Sequence, residues 1–154
     1  MKPKEFKQLL IEVMDNKDNP FHPFVFIKGE LELGNDIYVG LFSEINAQGA
    51  RVAIGDDCDI ASFVSINVAD SHKKCIGLAE EVEREDIVIE NNVFIGSHCF
   101  IKKGAYIGNH SVVAAGTIVE GQKIPPYSLV IGNPMKVKKG YYRKFLRDNN
   151  DSPQ

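Results

Sequence analysis

The sequence predicts an all-β chain, a single strand wound into a parallel β-helix, and three observations carry that expectation. Aliphatic residues recur at every sixth position in three blocks: Leu33, Val39 and Ile45; Ile54, Ile60 and Ile66; and Ile89, Ile95, Ile101, Ile107, Val113 and Val119. Glycine often follows, at Gly34, Gly40, Gly55, Gly96 and Gly108, as suits a chain that keeps turning. Four residues after each aliphatic stands a mostly compact residue, among them Ser43, Cys58, Val64, Val93, Cys99, Ala105, Ser111 and Thr117. A period of six excludes an α-helix, whose apolar stripe recurs every ~3.6 residues. It fits a short strand plus a corner, repeated, each coil stacked on the last. The aliphatic residue and the one two before it then point inward, because strand side chains alternate faces. Stacking buries a column of Ile and Val that no single repeat buries alone.

The 154 residues read as one domain in three parts: a cap over 1–30, the coil over 31–134 with a loop at 67–88, and a basic tail over 135–154. In the cap, residues 3–15 pattern as a short amphipathic helix with Phe6, Leu9, Leu10 and Val13 on one side. Such a helix is suited to closing the open end of the stack, where backbone groups lack partners. Between Ile66 and Ile89 lie 23 steps, not a multiple of six, so part of 67–88 leaves the coil as a loop. Pro125-Pro126 ends the regular pattern; 136–147 reads as a basic helical segment with interspersed aromatics, and 149–154 as disordered. The outward residues Val88, Phe94, Phe100, Tyr106, Val112 and Ile118 are large and apolar, which suits subunit contacts and a ligand groove better than a lone monomer.

Composition excludes several classes. A net charge of -3 and a pI near 5.8 give no electrostatic reason to expect nucleic acid. No apolar stretch is long enough to span a bilayer and the N-terminus lacks a signal-peptide core, so no membrane partner and a cytoplasmic location are expected. Cys58, Cys75 and Cys99 lack C-x-x-C spacing and indicate neither a disulfide framework nor a zinc knuckle. Cys58 and Cys99 occupy inward positions, whereas Cys75 lies on the loop.

Loops projecting from rigid scaffolds concentrate function. This one carries Asp70-Ser71-His72 and then the charged run 80–86. An imidazole, with a reference pKa of roughly 6.5, takes up and returns a proton near neutral pH, which makes His72 the candidate base. The alternative is an exposed loop histidine without a role.

The blocks IVIENNVFIGSH (87–98), GAYIGNHSVVAAGTIV (104–119) and IPPYSLVIGNP (124–134) resemble the hexapeptide-repeat acetyltransferases, in particular the galactoside and maltose branch of the sugar O-acetyltransferases. The likeness runs from about Val52 to Val137. It implies a left-handed β-helix, a homotrimer with active sites between neighbouring subunits, and acetyl-CoA as co-substrate in a ternary complex with the acceptor. His72 is then the base that accepts a proton from a hydroxyl or amine of a sugar or sugar nucleotide, with Asp70 beside it in the acceptor site. The backbone N–H of Ser97 becomes the oxyanion donor, Phe94 lines the cleft, and the Ala115 amide meets the pantetheine arm. Lys136 and Lys138 fall near the cofactor's phosphate. The family's acceptor-binding Asn is absent from Leu41-Phe42-Ser43, so the acceptor stays open. Two alternatives share the fold. One is a non-catalytic trimeric scaffold. The other is a γ-class carbonic anhydrase, in which His72, His98 and His110 would converge on zinc between subunits. His98 and His110 stand twelve apart, unlike the close pair of that class, so no metal is expected.

Overall fold

In a computed structural model describing residues 1–13 and 19–148, the chain winds about five turns of a left-handed parallel β-helix. The first face stacks Phe26–Lys28, Glu44–Asn46, Ser65–Asn67, Phe100–Lys102 and Ile118–Val119. The second stacks Leu31–Leu33, Val52–Ile54, Ile87–Ile89, Tyr106–Ile107 and Lys123–Ile124. The third stacks Tyr38–Val39, Asp59–Ile60, Phe94–Ile95, Val112–Val113 and Leu129–Ile131.

The register aligns like residues into columns. Ile45 pairs Ile66, which pairs Ile101, which pairs Val119; on the second face Ile54, Ile89, Ile107 and Ile124 align in the same way. All are buried, as are the compact inward residues Cys58, Val64, Val93, Cys99, Ala105, Ser111 and Thr117. Each buried aliphatic contributes ~1.5–3 kcal/mol relative to exposure. At the N-terminal end, Phe21, Leu31, Leu33 and Ile37 are half-buried and pack against the core.

The glycines after the aliphatics serve a different purpose from the one expected. Gly34, Gly40, Gly55, Gly96 and Gly108 are absent from the left-handed region. Instead, the next coil's corner comes too close for a side chain: a Cβ on Gly96 would lie 2.5 Å from the Ala115 nitrogen, and one on Gly40 2.4 Å from that of Ser62. The left-handed positions fall two residues further on and mostly hold other residues. Asp36, Asp57, Asn92, His110 and Tyr127 line one corner, and Phe42, Phe63 and His98 another. On the second of these corners the rings stack, Phe24 on Phe42 at 5.4 Å, Phe42 on Phe63 at 5.5 Å and Phe63 on His98 at 4.9 Å.

The boundaries differ from the sequence reading at both ends. The coil begins at Phe26–Lys28, inside the segment assigned to the cap, because Ile27 lies in register with Ile45. The N-terminal helix α1 covers Pro3–Val13, its expected last two residues lie outside the described chain, and none of its residues is buried. It touches the stack through Phe6 against Phe24, at 6.4 Å. The loop is narrower than 67–88, since Val68 and Ile87 are both fully buried. The tail does not continue as one helix from 136. After Gly132, at φ 90°, the chain reverses, and Lys136–Lys138 adds an antiparallel strand to Leu129–Ile131. Val137 and Met135 there pack on the core and cover its C-terminal end, which a helix leaving the stack would expose. A short helix, Arg143–Asp148, follows, and the expectation of disorder over 149–154 lies outside the described residues.

The close approach at the corners predicts an asymmetry between glycines. Gly96→Ala should lose about 1–3 kcal/mol in denaturant unfolding, as overpacking does. Gly116→Asn, at φ 72° with nothing within 4 Å of the added Cβ, should stay within about 1 kcal/mol. Equal losses at the two positions would refute this account of the repeat's glycines.

Candidate active site

The excursion leaves the third turn after Ser65–Asn67, at the corner between first and second faces, and returns at Ile87–Ile89. Its stem is a two-stranded antiparallel pair, Ala69–Asp70 against Glu83–Arg84, with Asp70 opposite Glu83. A short helix, α2 (His72–Cys75), begins directly after this stem. The stem is tied to the coil by the Glu85 N–H donating to the Val68 carbonyl (3.1 Å) and the Gly104 N–H to the Asp86 carbonyl (3.2 Å).

One carboxylate oxygen organises the histidine. Oδ1 of Asp70 lies 2.6 Å from His72 Nδ1 and accepts the His72 backbone N–H at 3.1 Å. A short acidic side chain that reaches the backbone two residues on favours such a turn. The bond from His72 holds the Asp70 carboxyl below its usual range, with a smaller contribution from Lys102. With a proton on Nδ1, the Nε2 lone pair is free to accept another.

A cleft of about 250 Å³ adjoins the imidazole, lined by Asp70, His72, Glu83, Glu85, Lys102 and Lys103, with Glu120 and Gly121 at one end. A second, sharing Asp70 and both lysines, adds Asn67, Ser71 and Phe100. The lysines are paired: Lys102 with Glu120 at 2.7 Å, Lys103 with Glu85 and Glu83.

The other expected site residues lie elsewhere on this chain. Ser97 and Ala115 stack on the corner leading from third face to first, one coil apart, and the Ser97 carbonyl accepts the Gly116 N–H at 2.9 Å. Neither the Ser97 nor the Ala115 N–H meets an acceptor among the described residues. Phe94 is outward on the third face and exposed; Lys136 and Lys138 stand on the added strand, Lys138 with its ammonium 5.6 Å from the Tyr141 ring. Asp70 and His72 meet, but none of Ser97, Phe94, Ala115, Lys136 or Lys138 lines either of these two clefts.

Lys102, Lys103, Glu83 and Glu85 were not singled out from the sequence. The charged run 80–86 was visible, but its partners were not, since they lie on the next coil. His98 and His110 belong to different corners and stack flat on Phe63 and Tyr127. Among the described residues, no three potential ligands gather to hold a metal within one chain. Cys58 and Cys99 are buried, their thiols donate to the Glu90 and Ala114 carbonyls, and burial pushes both thiols up; Cys75 is exposed. No described helix is long and apolar enough to cross a membrane.

Residues 86–121 match the family described as bacterial transferase hexapeptide (six repeats). Over 118 residues the chain is 36% identical to a galactoside O-acetyltransferase of Escherichia coli K12, a match covering 75% of this chain and 57% of that protein's length. A hexapeptide-repeat-containing acetyltransferase from Vibrio cholerae is 30% identical, with a TM-score of 0.54 over 75% of this chain and 69% of the other. A second structure, of the Vibrio cholerae O1 protein complexed with acetyl coenzyme A, is 28% identical with a TM-score of 0.56 over 90% and 78%. The N-acyltransferase AntD of Bacillus cereus is similar in fold alone, at 17% identity and a TM-score of 0.71 over 85% and 73%.

The Asp70–His72 bond has a pH signature. A carboxylate whose native pKa is depressed adds stability above its unfolded pKa and loses it as pH falls through the lower native value. Carboxyl 13C titration should therefore place the Asp70 midpoint below the ordinary aspartate range, and His72→Gln should raise it. An unshifted midpoint in the unmodified protein would contradict the bond.

Proposed function

Because the chain belongs to the hexapeptide-repeat acetyltransferases, we propose that it transfers an acetyl group from acetyl-CoA to a hydroxyl or amine of a sugar-like acceptor, with His72 as general base. The Asp70–His72 pair on the excursion is the observation that carries this reading. Asp70 holds the Nδ1 proton and stabilises the imidazolium that forms, so Nε2 takes the acceptor's proton as its oxygen or nitrogen attacks the thioester carbonyl. The resulting oxyanion needs a fixed donor, a role for the Ser97 N–H. Collapse breaks the carbon–sulfur bond, and the imidazolium returns its proton to the departing CoA thiolate.

The residues present fit such a co-substrate. Two unpaired amides, at Ser97 and Ala115, lie one above the other along a corner, and backbone donors of this kind seek acceptors. The acyl oxygen is the acceptor for the Ser97 N–H and a pantetheine carbonyl the one for the Ala115 N–H, and Lys136 supplies charge for a phosphate further along. The Vibrio relative's complex with acetyl coenzyme A supports the same donor. The galactoside relative supports a sugar hydroxyl as acceptor, carried over as part of this proposal since the chain spans 57% of its length.

We propose a homotrimer as the assembly, a reading that the positions of these groups support by calling for more than one copy at each site. Ser97 and Ala115 precede the first-face strands, whereas His72 leaves from the far end of one. A site holding both kinds of group takes them from two copies, with Phe94, Phe100 and Ile118 available for apolar contact between copies.

Thiol release from acetyl-CoA over a panel of sugars and amino sugars tests the reading. His72→Ala should lower turnover by at least ~10²-fold with acetyl-CoA binding retained, and Asp70→Asn by at least ~10-fold. Undiminished turnover in His72→Ala would remove the imidazole from the chemistry. A scaffold, by contrast, would bind without releasing thiol from the donor.

A further inference from the structure

We propose that Lys103 is a positioning residue, a clamp that pins the His72-bearing excursion to the coil through Glu83 and Glu85; this rests on the reading of His72 as base. Backbone bonds, the Arg84 side chain donating to the Gln48 carbonyl (3.1 Å) and the Asp86 carboxylate accepting the Arg51 N–H (2.8 Å) hold the root of the excursion, but its tip has little else. Residues 71–78 are all exposed, α2 buries nothing, Ser71 gives α2 no side-chain cap, and Ile76 and Leu78 are 65% and 74% exposed. Apolar packing, which fixes the coil, is therefore missing from the part of the chain that carries the imidazole.

Charge takes its place. Lys103 stands on the corner after Phe100–Lys102, one coil beyond the excursion's root, and its side chain is only 17% exposed. Its ammonium bonds Glu85 and lies 3.4 Å from Glu83, and the other oxygen of Glu83 binds Lys73 at 2.6 Å. Glu83 faces Asp70 across the stem and Lys73 follows His72, so both members of the dyad border a residue of this network. The corner is shaped to admit it: a Cβ on Gly104 would lie 2.6 Å from Glu85 Oε2. Linked pairs partly shielded from water contribute where isolated surface pairs do not. Without the ammonium, Glu83 and Glu85 repel each other at the stem's root.

Removing the clamp should displace the base and spare the acetyl-CoA groups, which lie on another corner. A displacement of about 1 Å in a catalytic group costs as much as ~10²-fold in rate. In the full-length assembly, Lys103→Met should lower kcat by ~10–10²-fold while KM for acetyl-CoA stays within about twofold. Amide exchange should quicken across 69–86 and stay slow in the buried columns, and Lys103→Arg should restore both. Glu83→Gln is the second variant, with the same loosening expected, should Lys103→Met not fold. Unchanged exchange over 69–86, retained kcat, or equal losses in Lys103→Met and Lys103→Arg would overturn the clamp. The exchange measurement needs no turnover, so it reads the clamp even if His72→Ala proves fully active.

Discussion

The fold rests on how closely one corner approaches the next. Where Gly96 lies over Ala115, the space for a Cβ is filled by the backbone of the following coil. That contact fixes the vertical register, and the register sets Ile over Ile and Val over Val through the interior. Rigid packing of this density also fixes what lies outside it. Ser97 stands one coil above Ala115, and Asn67 is paired with Lys102, because their inward neighbours admit no other alignment.

Two kinds of physics divide the chain. The coil is dry and apolar, with Ser43, Ser111, Thr117 and Ser128 its only buried polar residues among those described, each bonded to backbone. The excursion is wet and held by charge. A general base needs that second environment, since an imidazole must exchange protons with an acceptor that arrives from solvent. Asp70 adds direction: by engaging Nδ1 it leaves Nε2 free, the nitrogen to which the proposal gives the proton transfer, and the same bond holds the carboxyl below its usual range. The rigid coil and the polar excursion meet at the end of Phe100–Lys102, where Lys102 closes the strand and Lys103 opens the corner.

Much of this was legible because the period is strict. The inward columns, the break between Ile66 and Ile89, and the histidine beyond it all follow from counting in sixes. The early start of the coil was legible too, for Ile27 stands six before Leu33. Other features were hidden for physical reasons. Phe42 and Phe63 adopt positive φ, a conformation bulky residues avoid, and offset its cost by stacking ring on ring from coil to coil. The reversal at Gly132 depends on Val137 finding the exposed end of the core, a contact without local signature. The pairing of Lys103 with Glu83 joins residues twenty positions apart around the coil, which neither run of charges reveals alone.

A crystal structure of the full assembly with a non-hydrolysable acetyl-CoA analogue bears most directly on the central claim, that two copies assemble one site around the thioester. The account predicts the acyl oxygen within hydrogen-bond reach of the Ser97 N–H, with His72 Nε2 of an adjacent copy facing the acyl carbon. An acyl group seated away from every His72 imidazole would contradict it.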